Sequence, residues 1–144
     1  MSRYKFKNRK FPKNFQKVVD YIFDKKGITV ELTQMTNFTG HFNRTINIHH
    51  NYDLNNNGLY ALLHECGHAL QPPTHIGVNA YKNIDEDEHP KKFVLGRLMN
   101  EIDAWDKGLL IANELGIKID MKAWGVSGGK LASRWWLALP YGFR

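Results

Sequence analysis

The chain is poor in cysteine and in long apolar runs. Cys66 is the single cysteine among 144 residues, which excludes an internal disulfide. No stretch reaches the roughly 18 consecutive apolar residues of a membrane-spanning helix, and the charged amino terminus lacks the apolar segment of a signal peptide. Repeats and low-complexity blocks are also missing. These absences predict one cytoplasmic domain, spanning residues 1–144, with no membrane partner.

The most informative feature that is present is the motif His64-Glu65-Cys66-Gly67-His68. It lies in an apolar segment, Leu59 to Leu70, whose leucines recur at helical spacing. Residues four apart on a helix share a face, so His64 and His68 can reach one ion. Glu65 stands beside them, where its carboxylate can take a proton from water. Two neutral nitrogen donors and an adjacent base are typical of catalytic zinc sites.

Two histidines leave the metal one protein ligand short, and the sequence offers two candidates for it. Glu101 lies in a long helical pattern from about Lys92 to Leu115, and a helix packed against the motif could aim this carboxylate at the ion. His75 is the alternative, although it follows a double proline and would need a sharp turn. On residue spacing alone both stay open. The favoured set is His64, His68 and Glu101, with one zinc ion per chain and water in the fourth position.

The motif, followed about thirty residues later by Asn100-Glu101-Ile102-Asp103-Ala104, resembles the gluzincin metallopeptidases. The likeness is to their compact, single-domain kind, the minigluzincins and the ImmA/IrrE-like proteins, whose second helix carries Glu-x-x-Ala. It covers roughly residues 28–116. The chain departs from the thermolysin-like pattern at Trp105, where those enzymes have an aspartate. The resemblance implies a small zincin-like domain and zinc-dependent peptide hydrolysis.

The rest of the sequence predicts further elements of such a domain. An amphipathic helix fits Lys13 to Lys26, and two alternating segments, Ile28 to Thr33 and Arg44 to His49, indicate strands of a short antiparallel or mixed sheet. A short apolar helix fits Leu131 to Leu139. Residues 71–90 form the loop between the two metal-bearing helices. We therefore expect an α+β domain in which the motif helix packs on the long glutamate-bearing helix.

The favoured function is hydrolysis of a protein or peptide substrate, more as an endopeptidase than as an exopeptidase. Glu65 would act as the general base on a zinc-bound water. The developing oxyanion needs a partner, for which the sequence offers Tyr81, His75, His89 and Tyr141. We take Tyr81 as the candidate catalytic residue among these four.

The resemblance also implies where the substrate binds. In zincins of this kind, a strand beside the metal helix pairs with an extended peptide through backbone hydrogen bonds. The segment from Thr45 to His49 is the candidate edge, which makes Thr45, Asn47 and His49 the candidate substrate-binding residues. A plain interior strand is the alternative interpretation of this segment.

Positive charge gathers at the amino terminus. The formal net charge is +6 at pH 7, and an arm formed by residues 1–12 interleaves Lys and Arg with aromatic residues. This pattern suits phosphate contacts and base stacking, so residues 3–13 could bind nucleic acid. It equally suits a segment that packs on the core. The second functional class is therefore a regulatory module that keeps its metal helix for structure and binds nucleic acid or another partner through this arm.

Overall fold

The computed structural model describes residues 10–34, 40–42 and 44–125. We label its elements α1 (Lys13–Lys26), β1 (Thr29–Thr33), β2 (Gly40–Phe42), β3 (Thr45–His49), α2 (Asn57–Ala69), the 3-10 helix η1 (Gly77–Asn83) and α3 (Pro90–Glu114). Residues 121–125 are also helical. This mixture confirms the α+β class. The three long helices begin and end within about two residues of the predicted bounds.

Glycine ends two of these helices, as the sequence suggests. Gly27 follows α1 with φ 65°, and its N–H donates to the Phe23 carbonyl at 2.8 Å. Gly116 follows the end of α3 with φ 69°. Both values lie in the left-handed region, which a residue without a Cβ reaches without steric cost. Each of these helices therefore ends at a glycine, the residue for which the left-handed conformation costs the least free energy.

The three strands form a mixed sheet in the order β1-β3-β2. β1 and β3 run parallel, with Thr29 opposite Thr45, whereas β2 runs antiparallel to β3, with Gly40 opposite Asn47. The antiparallel form of the sequence prediction is therefore wrong for β1 and β3, and the mixed form is right. The cause is β2, a strand of three residues that is too short to show an alternating pattern. It adds a second chain reversal, so β3 returns in the direction of β1.

β3 is the central strand of the described sheet. β1 pairs with it from Thr45 to His49, and β2 pairs with its other side from Thr45 to Asn47. The expectation that this segment forms a free edge is therefore wrong over Thr45 to Asn47. Its backbone already pairs with a strand on each side over these residues.

The hydrophobic core lies between α1, the sheet and α2. α1 buries one apolar stripe, β3 points alternate side chains inward, and α2 covers both. The fully buried side chains among them are Phe15, Val18, Ile22, Ile46, Ile48, Leu62, Leu63 and Cys66. Burying each large aliphatic side chain contributes about 1.5–3 kcal/mol, so this face of α2 is firmly anchored. Cys66 is a buried thiol, as predicted, and burial raises its pKa.

Two glycines let α2 and α3 touch backbone to backbone. A Cβ added to Gly67 of α2 would lie 2.0 Å from the Ala104 carbonyl oxygen of α3, and one added to Gly108 would lie 2.7 Å from the Leu63 carbonyl oxygen. Helices that meet through larger side chains stay about 8–10 Å apart. The close crossing brings Glu101, one turn before Ala104, against the motif.

Side-chain hydrogen bonds tie the connection between α2 and α3 to the second helix. Asn100 of α3 is 4% exposed and donates to the Val78 carbonyl at 3.0 Å and to the Asn79 side-chain oxygen at 2.9 Å. Asn79 in turn donates to the Pro72 carbonyl at 2.6 Å. The loop predicted over residues 71–90 thus contains η1, and this buried amide pair fixes it next to Glu101.

Several sequence predictions lie outside the described residues. They are the short helix from Leu131 to Leu139, Tyr141, and all but residues 10–12 of the basic arm. Trp124 is described, and its ring is 6% exposed and packs in the core. Across the described ranges, none of the helices combines the length and the apolar character needed to span a bilayer.

Candidate metal centre

Three side chains converge where α2 crosses α3. The Nε2 atoms of His64 and His68 are 3.1 Å apart. Oε2 of Glu101 lies 3.0 Å from Nε2 of His64 and 3.3 Å from Nε2 of His68. Each residue therefore offers one ligand atom to a common point, and the three could hold a metal ion. The structure brings together the favoured ligand set of the sequence analysis.

His75, the alternative third ligand, is not part of this group among the described residues. It is exposed and has a positive φ of 73°. Its carbonyl accepts a hydrogen bond from the side chain of Asn83 at 3.4 Å. The double proline directs the chain away from α2, so the turn needed to return His75 to the histidine pair is not made.

Gln71 holds the far side of His68. Its Oε1 lies 3.0 Å from Nδ1 of His68, while its Nε2 donates to the Asn100 carbonyl at 2.8 Å and to Oδ2 of Asp103 at 3.0 Å. Those two partners are acceptors only, so they fix which end of the amide carries hydrogen. Oε1 must then face an N–H, which places a proton on Nδ1 of His68. When this imidazole is neutral, its Nε2 carries a lone pair directed at Glu101.

His64 is held by aromatic packing instead. Its ring lies 4.4 Å from the Trp105 ring at an interplanar angle of 33°, and Trp105 meets Trp124 edge-on at 4.8 Å. Nδ1 of His64 and Nε1 of Trp105 are buried and have no hydrogen-bond partner among the described residues. Trp105, which stands where thermolysin-like enzymes have an aspartate, therefore orients a ligand through its ring face.

Burial and mutual contact shift the charges of the three ligand residues. Burial lowers the pKa of His64, although the hydrogen bond to Glu101 opposes this. Burial also acts to lower the pKa of His68, but the hydrogen bond and charge of Glu101 outweigh it and raise that pKa. Partial burial acts to raise the pKa of Glu101, yet its hydrogen bonds with both histidines lower that pKa to about 2. The carboxylate is thus ionised and ready to accept a cation.

Glu65 lies beside the triad in a cleft of about 460 Å³, whose described lining includes His68, Glu101, Tyr81 and Arg97. Burial raises the pKa of Glu65 to about 7. A carboxyl group with this pKa can both accept and return a proton near neutral pH. The residue is positioned as a base next to the candidate ligands and is not one of them.

Tyr81 lines the same cleft from η1. It packs on Gly96 of α3, where an added Cβ would lie 2.3 Å from the Cβ of Tyr81, and its ring meets Phe93 edge-on at 5.3 Å. Burial raises the pKa of its hydroxyl, which therefore stays protonated at neutral pH. Neither His75 nor His89, two other candidates for the oxyanion partner, is among the described lining residues.

The candidate substrate-binding residues lie on the sheet. Thr45 and Thr29 approach each other at 3.3 Å through their hydroxyl groups. Nδ1 of His49 accepts a hydrogen bond from the backbone N–H of Asn51 at 3.2 Å, and its ring stacks on that of His50 at 4.8 Å. None of the three candidates is among the described residues that line the cleft. A role for Thr45, Asn47 and His49 in substrate binding stays a prediction.

Two features of the site were missed in the sequence. Gln71 follows His68 by three residues, which places it on the same helical face, and this spacing was the available signal. Gly67 stands inside the motif, where a glycine costs a helix about 1 kcal/mol relative to alanine. A glycine kept at that cost indicates a close backbone contact.

No protein-family model, curated protein or solved structure matches this chain. The geometry of the site therefore carries the functional inference.

Proposed function

We propose that this protein is a zinc-dependent peptidase that holds its metal with His64, His68 and Glu101. The observation that carries the proposal is the convergence of two imidazole nitrogens and one ionised carboxylate beside Glu65, a partly buried glutamate that is not one of the three candidate ligands. Glu65 contributes nothing to holding a metal. A purely structural site has no use for a base at that position, whereas a hydrolytic site requires one.

The donor set suits zinc in type and in spacing. Tetrahedral zinc binds nitrogen and oxygen ligands at about 2.0–2.2 Å, so neighbouring ligand atoms lie about 3.3–3.5 Å apart. The observed separations of 3.0, 3.1 and 3.3 Å are close to these values. Three protein ligands leave the fourth position for water, as in catalytic zinc sites.

The proton arrangement of His68 also supports a cation at this point. With its Nδ1 proton directed to Gln71, the neutral imidazole turns a lone pair toward the carboxylate of Glu101. Two electron-rich atoms at 3.3 Å repel each other unless a proton or a metal ion lies between them. A divalent ion satisfies both atoms, and Nε2 of His64 as well.

The chemistry then follows from the residues around the ion. A zinc ion held by His64, His68 and Glu101 would acidify a water molecule and polarise a carbonyl group. Glu65 takes the proton from the attacking water and passes it to the nitrogen of the leaving amine as the C–N bond breaks. Tyr81, protonated and part of the lining of the same cleft, is the candidate donor to the developing oxyanion.

We place the protein with the compact gluzincins, and its fold with small zincin-like domains. The support is the glutamate ligand on a second helix and the helix pair that crosses at Gly67 and Ala104. The expected substrate is a protein or peptide chain. We expect endopeptidase action more than exopeptidase action, because the cleft is open at the surface.

Glu65→Gln tests this function, because glutamine keeps the shape of glutamate but does not accept a proton at neutral pH. The variant should keep zinc and lose at least ~100-fold in hydrolysis of a peptide library or of unfolded protein. Glu88→Gln is the matched control, since Glu88 is exposed in the connection between the helices and should leave the rate unchanged. If Glu65→Gln cleaved a substrate of the wild type at an equal rate, the mechanism would be wrong.

A further inference from the structure

We infer that Gln71, supported by Asp103 and Lys107, is the positioning residue that fixes the tautomer and direction of His68. The inference rests on the metal-binding part of the proposed function and deepens it. The proposed function gives roles to His64, His68 and Glu101 as ligands and to Glu65 as the base. None of these roles explains what orients the imidazole of His68. The structure supplies a group for this task that belongs to the loop after the motif helix.

The placement of Gln71 follows from the way α2 ends. The N–H of Leu70 bonds to the Cys66 and Gly67 carbonyls at 3.1 and 3.2 Å, and the N–H of Gln71 bonds to the His68 carbonyl at 3.1 Å. These contacts continue the helical turn past Ala69. Gln71 therefore remains on the face of His68, three residues on, before the following proline turns the chain away.

A chain of hydrogen bonds backs the contact between Gln71 and His68. Nε2 of Gln71 donates to Oδ2 of Asp103 at 3.0 Å, and the other oxygen of Asp103 accepts from Nζ of Lys107 at 2.8 Å. Asp103 and Lys107 lie one turn apart on α3, the helix that also carries Glu101. The same helix therefore presents the third ligand and, through Gln71, orients the second.

The amide cannot reverse without losing contacts. If the oxygen and nitrogen of Gln71 exchanged places, the oxygen would face the Asn100 carbonyl and the Asp103 carboxylate, both of which are acceptors. Gln71 is thus locked by two acceptors on α3, and its own acceptor is left to Nδ1 of His68. Outer partners of this kind hold a ligating imidazole in one tautomer and raise metal affinity about 10–100-fold.

Gln71→Met is the direct test, because methionine has a similar length but neither donor nor strong acceptor. Zinc affinity should fall about 10–100-fold in competition with a chromophoric chelator. In metal-free protein at alkaline pH, nitrogen NMR of the His68 ring should show the Nδ1–H form in the wild type and a mixture of tautomers in the variant. A residue that only caps the helix would lower the melting temperature and leave affinity and tautomer unchanged.

Asp103 and Asp106 provide a matched pair on the same helix. Asp103→Ala removes one of the two acceptors of Gln71 and should weaken zinc binding several-fold, whereas Asp106, which is exposed, should tolerate the same change without effect. Adding Asp103→Ala to Gln71→Met should cause little further loss, because both changes break one chain of contacts. This pair also provides the test if Gln71→Met does not fold.

The outcomes separate this inference from the proposed function. Wild-type protein without zinc affinity would remove the metal site, while the tautomer measurement would still decide the role of Gln71. Wild-type protein that binds zinc, with Gln71→Met binding equally well, would overturn the positioning role alone. Equal losses in Asp103→Ala and Asp106→Ala would also overturn it.

Discussion

His64 and His68 lie one turn apart on α2 and approach the same carboxylate, yet their surroundings differ. The ring of His64 lies against Trp105 in an apolar region that continues to Trp124. The ring of His68 is hydrogen-bonded to Gln71 at the edge of a polar cleft. One ligand is therefore held by ring packing and the other by a directed hydrogen bond.

The difference matters because the two kinds of contact constrain different properties. Packing against an aromatic face fixes the plane of the His64 ring but does not select which nitrogen carries the proton. A hydrogen bond to Nδ1 fixes both the plane and the tautomer of His68. The two arrangements also differ in free energy. Nδ1 of His64 is buried and has no partner among the described residues, which costs about 1–3 kcal/mol, whereas Nδ1 of His68 has Gln71.

Glu101 contacts both histidines, so its removal should have the largest effect on zinc affinity. Glu101→Ala should lower zinc affinity more than 100-fold, because losing a ligand exceeds the 10–100-fold effect of losing an outer partner. His75→Ala should leave affinity unchanged, since His75 is exposed and outside the cluster. Calorimetric zinc titration of both variants checks this. If His75→Ala weakened zinc binding and Glu101→Ala did not, the third ligand would be His75 and not Glu101.

The close packing of α2 on α3, which brings Glu101 to the two histidines, can be disrupted at Gly67. Gly67→Ala places a methyl group 2.0 Å from the Ala104 carbonyl oxygen, which forces the helices apart. We expect a loss of about 2–3 kcal/mol in unfolding free energy, typical of an overfilled contact, together with weaker zinc binding. Urea denaturation measures the first quantity. Gly125→Ala is the control, because no atom of the described residues lies within 4 Å of a Cβ at that position.

The helices and the ligand pair could be predicted from sequence because both depend on local periodicity. His64, His68 and Glu65 follow from the four-residue spacing of one helix, and the Glu101 helix from a long apolar repeat. These features need no knowledge of how distant segments pack. The prediction of Glu101 as third ligand additionally required the two helices to cross at one point, which Gly67 makes possible.

The sheet topology and the hydrogen-bonded support of His68 could not be predicted in the same way. β2 has three residues, which are too few for an alternating pattern to be recognised in the sequence. Without β2 in the predicted sheet, β3 was expected to be an edge strand. Gln71 contacts His68 directly and is held in turn by Asp103, which is 32 residues away from Gln71 in sequence. The spacing of His68 and Gln71 is local, but the contact with Asp103 depends on tertiary packing and leaves no local pattern.

Substitutions of Trp105 test whether ring packing holds His64. Trp105→Leu should cost about 2 kcal/mol in unfolding free energy, toward the low end for large-to-small changes because the indole is only partly buried. Trp105→Phe keeps a ring against His64 and removes the unpaired indole N–H, so it should cost less and preserve zinc affinity. Denaturation and chelator competition measure both. If Trp105→Phe weakened zinc binding as much as Trp105→Leu, ring stacking would not be what holds His64.

Glu65 should give the smallest effect, and its sign distinguishes it from Glu101. In metal-free protein, burial raises the pKa of Glu65 to about 7 from its usual 4.5. The folded state therefore holds the proton more tightly than the unfolded state, and its stability falls as pH rises from about 4.5 to 7. Glu65→Gln cannot ionise, so it should be more stable than the wild type at pH 8 and equal to it near pH 4.

Glu101 should behave in the opposite way, which makes it the internal comparison for this experiment. Its pKa is lowered to about 2, so its ionised form stabilises the folded state above pH 4.5, and this contribution is lost as pH falls toward 2. Glu101→Gln should therefore be less stable than the wild type at pH 8, where Glu65→Gln is more stable. Urea denaturation of both variants at pH 4 and pH 8, with a chelator present, measures the two differences. A Glu65→Gln variant that is no more stable than the wild type at pH 8 would mean that Glu65 is not held in a desolvated position, and its assignment as the base would lose its physical support.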